Sequence, residues 1–176
     1  LITVQDNQLP TITCPASVIL NNTPGQCGTV VSYPTPVASD NCQLTGLGHT
    51  SGGMSGDFFP VGSTNVTWTA TDAAGNTNTC LFNITVADIQ LPSITCPAQQ
   101  TRTTDPNTCT AATTYAPVAS DNCMSVAPSV SFQFSGASTT AGYQAGTGSG
   151  SAFNKGITTV TLRATDAAGL TRTCTF

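Results

Sequence analysis

Cysteine and aspartate are the residue types of this chain that could do chemistry, and both recur at fixed spacing. The chain has eight cysteines and one histidine. No CxxC pair or Cys/His cluster is present, so the spacing does not indicate a zinc site. An even set of cysteines with repeated spacing predicts disulfides and an extracellular or periplasmic location. We therefore expect all eight to be paired, with no thiol left as a nucleophile.

The aspartates offer only weak candidates for catalysis. Two carboxylates at a fixed separation are needed for glycosidase-like chemistry, and the repeated candidates are Asp40 with Asp72 and Asp121 with Asp166. Each lies in a loop or hairpin context, where Asp commonly forms turn hydrogen bonds. The sole histidine, His49, falls in the glycine-rich stretch LGHTSGGMSG, for which we expect an exposed loop. The sequence therefore predicts no enzyme.

An internal repeat positions these residues. The segments DNQLPTITCP, SDNC and TDAAGNTNTCLF of the first half return as DIQLPSITCP, SDNC and TDAAGLTRTCTF in the second. The repeat predicts two domains, residues 7–88 and 89–176. The second copy contains an insertion, SGASTTAGYQAGTGSGS, which we interpret as a loop between strands.

Apolar residues within each copy alternate with a period of two. In NVTWTATD, Val66, Trp68 and Ala70 share one face, and Trp68 is expected in the core. Gly75, in the turn DAAGN, is placed for a positive φ. No segment is typical of a helix. The pattern predicts an all-β chain of two tandem immunoglobulin-like β-sandwich domains. On the following strand one face is formed by Cys80, Phe82, Ile84 and Val86.

The same alternation bears on disulfide pairing. Cys14 shares a face with Ile12, and Cys80 shares one with Phe82, so both cysteines are expected to point toward the core. Four cysteines allow three pairings, so the pairing stays open at this point. Each bridge could contribute on the order of 3–4 kcal/mol to stability. The pairing that parity favours is Cys14–Cys80 with Cys27–Cys42, and Cys96–Cys174 with Cys109–Cys123.

Charge and hydropathy exclude some functions. The net charge is −4, and the four basic residues are scattered, so nucleic-acid binding is not indicated. No apolar run approaches the roughly 18 residues of a membrane span.

The sequons that begin at Asn21, Asn65 and Asn83 are candidate glycosylation sites.

Four motifs together resemble those of a known family. LPTITCP, VASDNC, FPVGSTNVTWTATDAAGN and CLFNITVAD resemble the hyalin repeat (HYR), an immunoglobulin-like extracellular module, and the resemblance covers nearly the whole chain twice. It implies an adhesive or structural role rather than catalysis. Family members with two cysteines keep the CP and C-x-F positions, which supports the Cys14–Cys80 pairing. The second copy departs from the pattern at FNKG and at Leu170, which stands where the first has Asn76.

The junctions between copies suggest a calcium site. VQDNQLPTI and VADIQLPSI resemble cadherin linkers, in which Asp and Asn side chains hold Ca²⁺ between successive domains. Calcium takes six to eight oxygen ligands, and the acids here are single rather than clustered, so we expect at most weak interdomain binding and no other cofactor. The candidate ligands are Asp6, Asp40, Asn41, Asp72, Asp88, Asp121, Asn122 and Asp166.

The two ends of the sequence match each other. Residues 174–176 followed by 1–6 read CTF-LITVQD, against CLF-NITVAD inside the chain. We therefore expect residues 1–6 of the next copy to complete the last strand of the second domain. Either the polypeptide continues covalently, which we favour, or separate subunits exchange the segment. The residues of this inter-unit junction are Leu1, Ile2, Thr3, Val4 and Phe176.

Both arrangements give a head-to-tail fibre. The predicted function is a structural unit of an extracellular or cell-surface filament, with the chain itself as partner and with matrix or cell-surface components as further partners. The alternative is a ligand-binding pair of modules, for example for carbohydrate, in a larger secreted adhesin or enzyme. Aromatic residues make up only 6% of the chain, which disfavours an aromatic binding platform.

Overall fold

The computed structural model describes all 176 residues and contains strands, turns and irregular segments. The chain divides into two units, Leu1–Asp88 and Ile89–Phe176. No helix of the structure has the length and apolar character to span a membrane. The protein is all-β, with two tandem units of antiparallel-rich sheets.

The first unit is built around a long hairpin. Its strands are β1 (Thr11–Thr13), β2 (Val18–Asn21), β3 (Gly28–Val30), β4 (Val37–Ser39), β5 (Leu44–Ser51), β6 (Phe58–Pro60), β7 (Gly62–Asp72) and β8 (Thr77–Ala87). β7 and β8 form the hairpin and pair antiparallel from Gly62↔Val86 to Thr71↔Thr77, and Gly75 turns between them with φ 91°. The main sheet has the order β2-β8-β7-β5, and two small sheets pair β1 with β4 and β3 with β6.

The residues that the alternating pattern assigns to one face form the core of this unit. Val66 and Ala70 are fully buried, and Trp68 is half-buried and packs against the core. His49 is not in an exposed loop. It lies half-buried in β5 opposite Trp68, with 5.6 Å between the ring centroids, because the glycine-rich stretch pairs with β7 as a strand. The inward face of β8 consists of Cys80, Phe82, Ile84 and Val86, all buried.

The second unit has the same plan with a shorter last strand. Its strands are β9 (Ser93–Thr95), β10 (Thr110–Ala112), β11 (Val118–Ser120), β12 (Ser129–Gly136), β13 (Gln144–Ala145), β14 (Ala152–Asn154), β15 (Thr158–Thr165) and β16 (Thr171–Thr175). The main sheet has the order β13-β12-β15-β16, around the buried Phe134, Val160 and Leu162. The insertion adds β13 and places Tyr143 under Arg163, with 4.0 Å from the guanidinium carbon to the ring centroid.

One disulfide in each unit joins the opening segment to the last strand. Cys14 and Cys80 are bridged with 5.5 Å between their Cα atoms. In the second unit Cys96 and Cys174 are bridged with 5.8 Å. The expectation that both partners point inward is met only by Cys80, since β1 ends at Thr13 and Cys14 is exposed beyond it.

The predicted bridges Cys27–Cys42 and Cys109–Cys123 are wrong, because Cys42 and Cys109 carry free, exposed thiols. The carbonyl of Cys27 accepts the N–H of Val61, level with the Ala87 end of β8. Cys42 precedes Gln43, whose carbonyl accepts the N–H of Ala73 at the other end of the hairpin.

Ten residues of strand, roughly 33 Å, separate these two levels, whereas a disulfide requires Cα atoms within about 7 Å. The second unit repeats the arrangement. Cys109 accepts the Lys155 N–H just before β15, while Cys123 lies beyond β11. Bridges within either unit between these positions are therefore excluded by the length of the hairpin.

Candidate functional site

A groove of about 550 Å³ opens at the Phe176 end of the second unit. One wall is the stretch 99–102, the other is the start of β15 at Thr158 and Thr159, and Tyr115 and Phe176 lie at its base. The Tyr115 hydroxyl donates to the Thr147 carbonyl at 2.8 Å, and burial raises the pKa of this phenol to about 12. Tyr115 and Phe176 therefore contribute two uncharged aromatic rings to the lining of the groove.

In the first unit the corresponding space is filled by the second half of β8. There, Ile84 and Val86 are buried and lie between β2 and β7. The equivalent of β2 in the second unit is residues 100–103, which form no strand. Its partner would be the continuation of β16, whose ladder with β15 reaches Phe176. The groove therefore lies at the position that the second half of β8 occupies in the first unit.

The groove presents unpaired backbone groups. Phe176 and Val160 exchange two hydrogen bonds, of 3.0 and 3.1 Å. Because antiparallel ladders alternate with a period of two, the next residue of β15 to direct its N–H and C=O toward this side is Thr158. An incoming strand can therefore extend the ladder in register.

The predicted junction residues at the beginning of the chain are exposed apolar side chains. Leu1 is fully exposed, and Ile2 and Val4 are each 91% exposed. By the repeat, Ile2 and Val4 are the equivalents of Ile84 and Val86. Their side chains have the spacing and size that the first unit buries in the same position.

Phe176, the last junction residue, already occupies its expected place. Its ring meets Tyr115 edge-on with 5.0 Å between centroids, as Phe82 meets Tyr33 in the first unit at the same distance. Strand parity then places residues two and four positions further on the same inward face.

The predicted calcium ligands are only partly brought together. In the first unit one carboxylate oxygen each of Asp6 and Asp40 and the Sγ of Cys42 lie within 4.8 Å of one another. Asp40 Oδ2 accepts the N–H groups of Cys42 and Gln43, at 2.9 and 3.2 Å, so half of this carboxylate serves to hold the turn.

The other candidate ligands of the first unit add little. Asn41 is exposed, and its amide donates to the Cys42 Sγ at 3.3 Å. Both oxygens of Asp72 are held by Asn76. A thiol and two acids supply too few free oxygens for a tight calcium site.

In the second unit the Cys123 N–H donates to Asp121 Oδ1 at 3.0 Å, and Asn122 Nδ2 to the Cys123 Sγ at 3.4 Å. Asp88 follows β8 at the end of the first unit, half-buried. Calcium ligation by the predicted set stays a prediction.

The two hairpin aspartates have different surroundings. Asn76 donates to Asp72 through its backbone N–H at 2.7 Å and its side-chain amide at 2.8 Å. Although removal from water raises the pKa of Asp72, hydrogen bonds from Asn76 and from the N–H groups of the turn outweigh it and lower the pKa. In the second unit Leu170 donates only its N–H to Asp166, and Asp166 Oδ2 is buried without a partner. Because Leu170 stands where the first unit has Asn76, the second unit lacks the hydrogen bond from a side-chain amide to the hairpin aspartate.

The two free thiols were missed by the sequence reasoning. A side-chain hydrogen bond to Asp6 raises the pKa of the Cys42 thiol, as do removal from water and the charges of Asp40 and Asp72. The signal that could have found them is the length of the alternating Thr-rich pattern across β7 and β8. That length already places Cys27 and Cys42 at opposite ends of the first unit, so that Cys42 cannot pair with Cys27.

The three sequons differ in accessibility. Asn21 is exposed at the end of β2. Asn65 and Asn83 are cross-strand partners, and the Asn83 Nδ2 that a glycan would occupy donates to Asn65 Oδ1 at 2.9 Å. Glycosylation stays a prediction, with Asn21 offering the amide without such a cross-strand bond.

Comparison with known families identifies the repeat. The family model described as HYR domain matches residues 5–86 and 87–176. The chain belongs to the HYR domain family. Hyalin of Lytechinus variegatus is 36% identical to this HYR chain over 124 residues, covering 68% of the chain, and hyalin of Strongylocentrotus purpuratus is 34% identical over the same share. The chain spans 23% and 10% of these relatives' lengths.

The chain is also similar to a part of other proteins. The HYR chain is 33% identical, over 51% of its length, to the sushi, von Willebrand factor type A, EGF and pentraxin domain-containing protein 1 of Rattus norvegicus, and spans 3% of that protein. Among solved structures, a protocadherin gammaB7 fragment aligns over 96% of this chain and 47% of its own, at TM-score 0.43 and 15% identity.

The family, the relatives and the disulfides establish the class of protein. This HYR chain is extracellular or at the cell surface, and it is a module of adhesion type.

Proposed function

We propose that this chain is a structural, non-catalytic unit of an extracellular fibre, in which copies join head to tail by strand addition. The groove beside Thr158 receives residues 1–6 of the next copy. The observation that carries the proposal is the groove itself: it lies where β8 of the first unit places Ile84 and Val86, and Ile2 and Val4 have the same spacing and are exposed.

The register follows from the existing ladder. Since Phe176 pairs with Val160, Leu1 of the incoming copy falls opposite Thr159 and Ile2 opposite Thr158. In the first unit the equivalent pairs are Asn65↔Asn83 and Thr64↔Ile84. Residues 100–103 then gain a parallel partner, as β2 has in β8.

Burial of the two apolar side chains drives the association. Fully burying Ile2 and Val4 is worth about 1.5–3 kcal/mol each, so together about 3–6 kcal/mol before the cost of ordering the strand. Backbone hydrogen bonds to β15 fix the register of the incoming strand, because apolar contacts alone would not do so.

The test is electron microscopy of the full chain together with binding of a synthetic LITVQD peptide to its Ile2→Ser/Val4→Ser variant, whose own first residues no longer fill the groove of a neighbouring copy. We expect uniform threads, and peptide binding that an Ile2→Ser change in the peptide weakens about 10-fold or more. A Thr3→Ser peptide, altered on the opposite face, is the control and is expected to bind nearly as well. Dispersed particles together with no peptide binding would refute the proposal.

Intact mass under denaturing, reducing conditions distinguishes the two forms of junction. A mass near 17.8 kDa indicates exchanged subunits, and a much larger one a covalent array of the same repeat. The groove has the same occupant in both cases.

A further inference from the structure

Each unit carries one free, exposed thiol at a defined end. Cys42 lies at the Asp6 end of the first unit, with its Sγ within 4.8 Å of an Asp6 carboxylate oxygen. Cys109 lies at the Phe176 end of the second unit, where its carbonyl accepts the Lys155 N–H at 2.9 Å. Lys155 also lines the groove, so Cys109 stands at its rim.

Strand addition brings these two thiols to the same junction. With Leu1 of a second copy opposite Thr159, its Gln5 falls opposite Lys155, the residue bonded to Cys109. Asp6 follows directly, and Cys42 lies beside it. Cys109 of one copy and Cys42 of the next copy therefore lie at the same level along the extended sheet.

We propose that Cys109 forms an intermolecular disulfide with Cys42 of a second copy, which locks each strand junction covalently. The inference rests on the proposed strand addition. It gives both exposed thiols a partner. It also explains why the bridges are absent within units, since these cysteine positions then link successive modules.

A small-molecule disulfide such as oxidised glutathione serves as the oxidant. One protein thiolate attacks a glutathione sulfur, forming a mixed disulfide and releasing one glutathione thiolate. The second protein thiolate attacks the protein sulfur of the mixed disulfide and releases the other glutathione. Two protein thiols lose two protons and two electrons, and one glutathione disulfide is reduced to two thiols.

Complementary variants test the pairing. The full chain, incubated with oxidised glutathione and run on a non-reducing gel, is expected to give a ladder of multimers, with a linked peptide containing Cys42 and Cys109 in the mass spectrum. Cys42→Ser and Cys109→Ser alone are each expected to lose the ladder. Their mixture is expected to give a covalent dimer and nothing larger, because each dimer has then used its single matching pair.

The outcomes separate this inference from the strand proposal. Covalent dimers of either variant alone, or linked peptides other than Cys42–Cys109, would overturn the disulfide. Threads and peptide binding with both thiols still free would overturn it too, while leaving strand addition intact. Multimers absent in every form, together with no LITVQD binding, would remove both.

Discussion

Replacing Leu170 by Asn should stabilise the second unit by restoring a hydrogen bond that the first unit has. The two turns share their backbone geometry: Asp72 and Asp166 each donate an N–H to the carbonyl four residues on, at 3.1 Å in both, and each turn has a glycine of positive φ. Only the side chain differs. An Asn amide at position 170 can therefore reach Asp166 Oδ2 as the Asn76 amide reaches Asp72.

The magnitude follows from two opposing terms. A hydrogen bond to a charged acceptor is worth about 1.5–3 kcal/mol, and Asp166 Oδ2 is buried without one. Leu170 is half-buried, so its loss costs about 1 kcal/mol of apolar burial. The net gain of about 1 kcal/mol raises the melting temperature by about 4–8 °C in a domain of this size.

Thermal unfolding followed by circular dichroism and by tryptophan fluorescence checks this prediction in the full chain. Trp68 is the sole tryptophan and reports the first unit, so its transition should not move. Leu170→Ala is the matched control, which loses the apolar contact without gaining a donor. If Leu170→Asn is no more stable than Leu170→Ala, the unpartnered oxygen is not the cause of the difference between the turns.

Three further predictions concern the first unit. Asp6→Asn should lower the pKa of Cys42 and speed its alkylation by iodoacetamide near neutral pH, with Asp88→Asn as the control; an unchanged rate would contradict the hydrogen bond. Asn76→Leu should raise the pKa of Asp72. A lowered carboxyl pKa stabilises the fold above the ordinary value of 3.8, and this stability is lost as pH falls below it. Acid unfolding of the variant, followed by Trp68 fluorescence, should therefore begin at higher pH, and an unshifted midpoint would count against this account. Equilibrium dialysis should find calcium retained only near millimolar concentration, more weakly after Asp40→Asn, whereas micromolar binding would show a better ligand set than the structure provides.

Part of the site could be predicted because its signal is local. Strand parity assigned Cys80, Ile84 and Val86 to one inward face, and the structure buries all three. The same parity, carried across the repeat, predicts that Ile2 and Val4 face inward once residues 1–6 join a sheet, and this stays a prediction because both side chains are exposed in the structure. These predictions need only the two-residue period of a strand, which every short window of the sequence contains.

Other features depend on distances that no short window contains. The glycines around His49 predict a loop. In the structure this segment pairs with β7, so His49 belongs to the sheet. Cys27 and Cys42 are predicted to pair because they remain in the first copy once Cys14 and Cys80 are joined. In the structure they lie at opposite ends of the β7–β8 hairpin. The groove is likewise visible only when residues 99–102 and β15 are folded together.

The sequence by itself determined the repeat, the faces of the strands and the family, because side-chain periodicity and motif order are properties of the chain alone. Only the tertiary structure decided which cysteines are free and where the groove lies. The first depends on the long β7–β8 ladder, which holds Cys27 and Cys42 far apart although they are close in the sequence, and on its counterpart in the second unit. The second depends on where the fold places residues 99–102 and the start of β15.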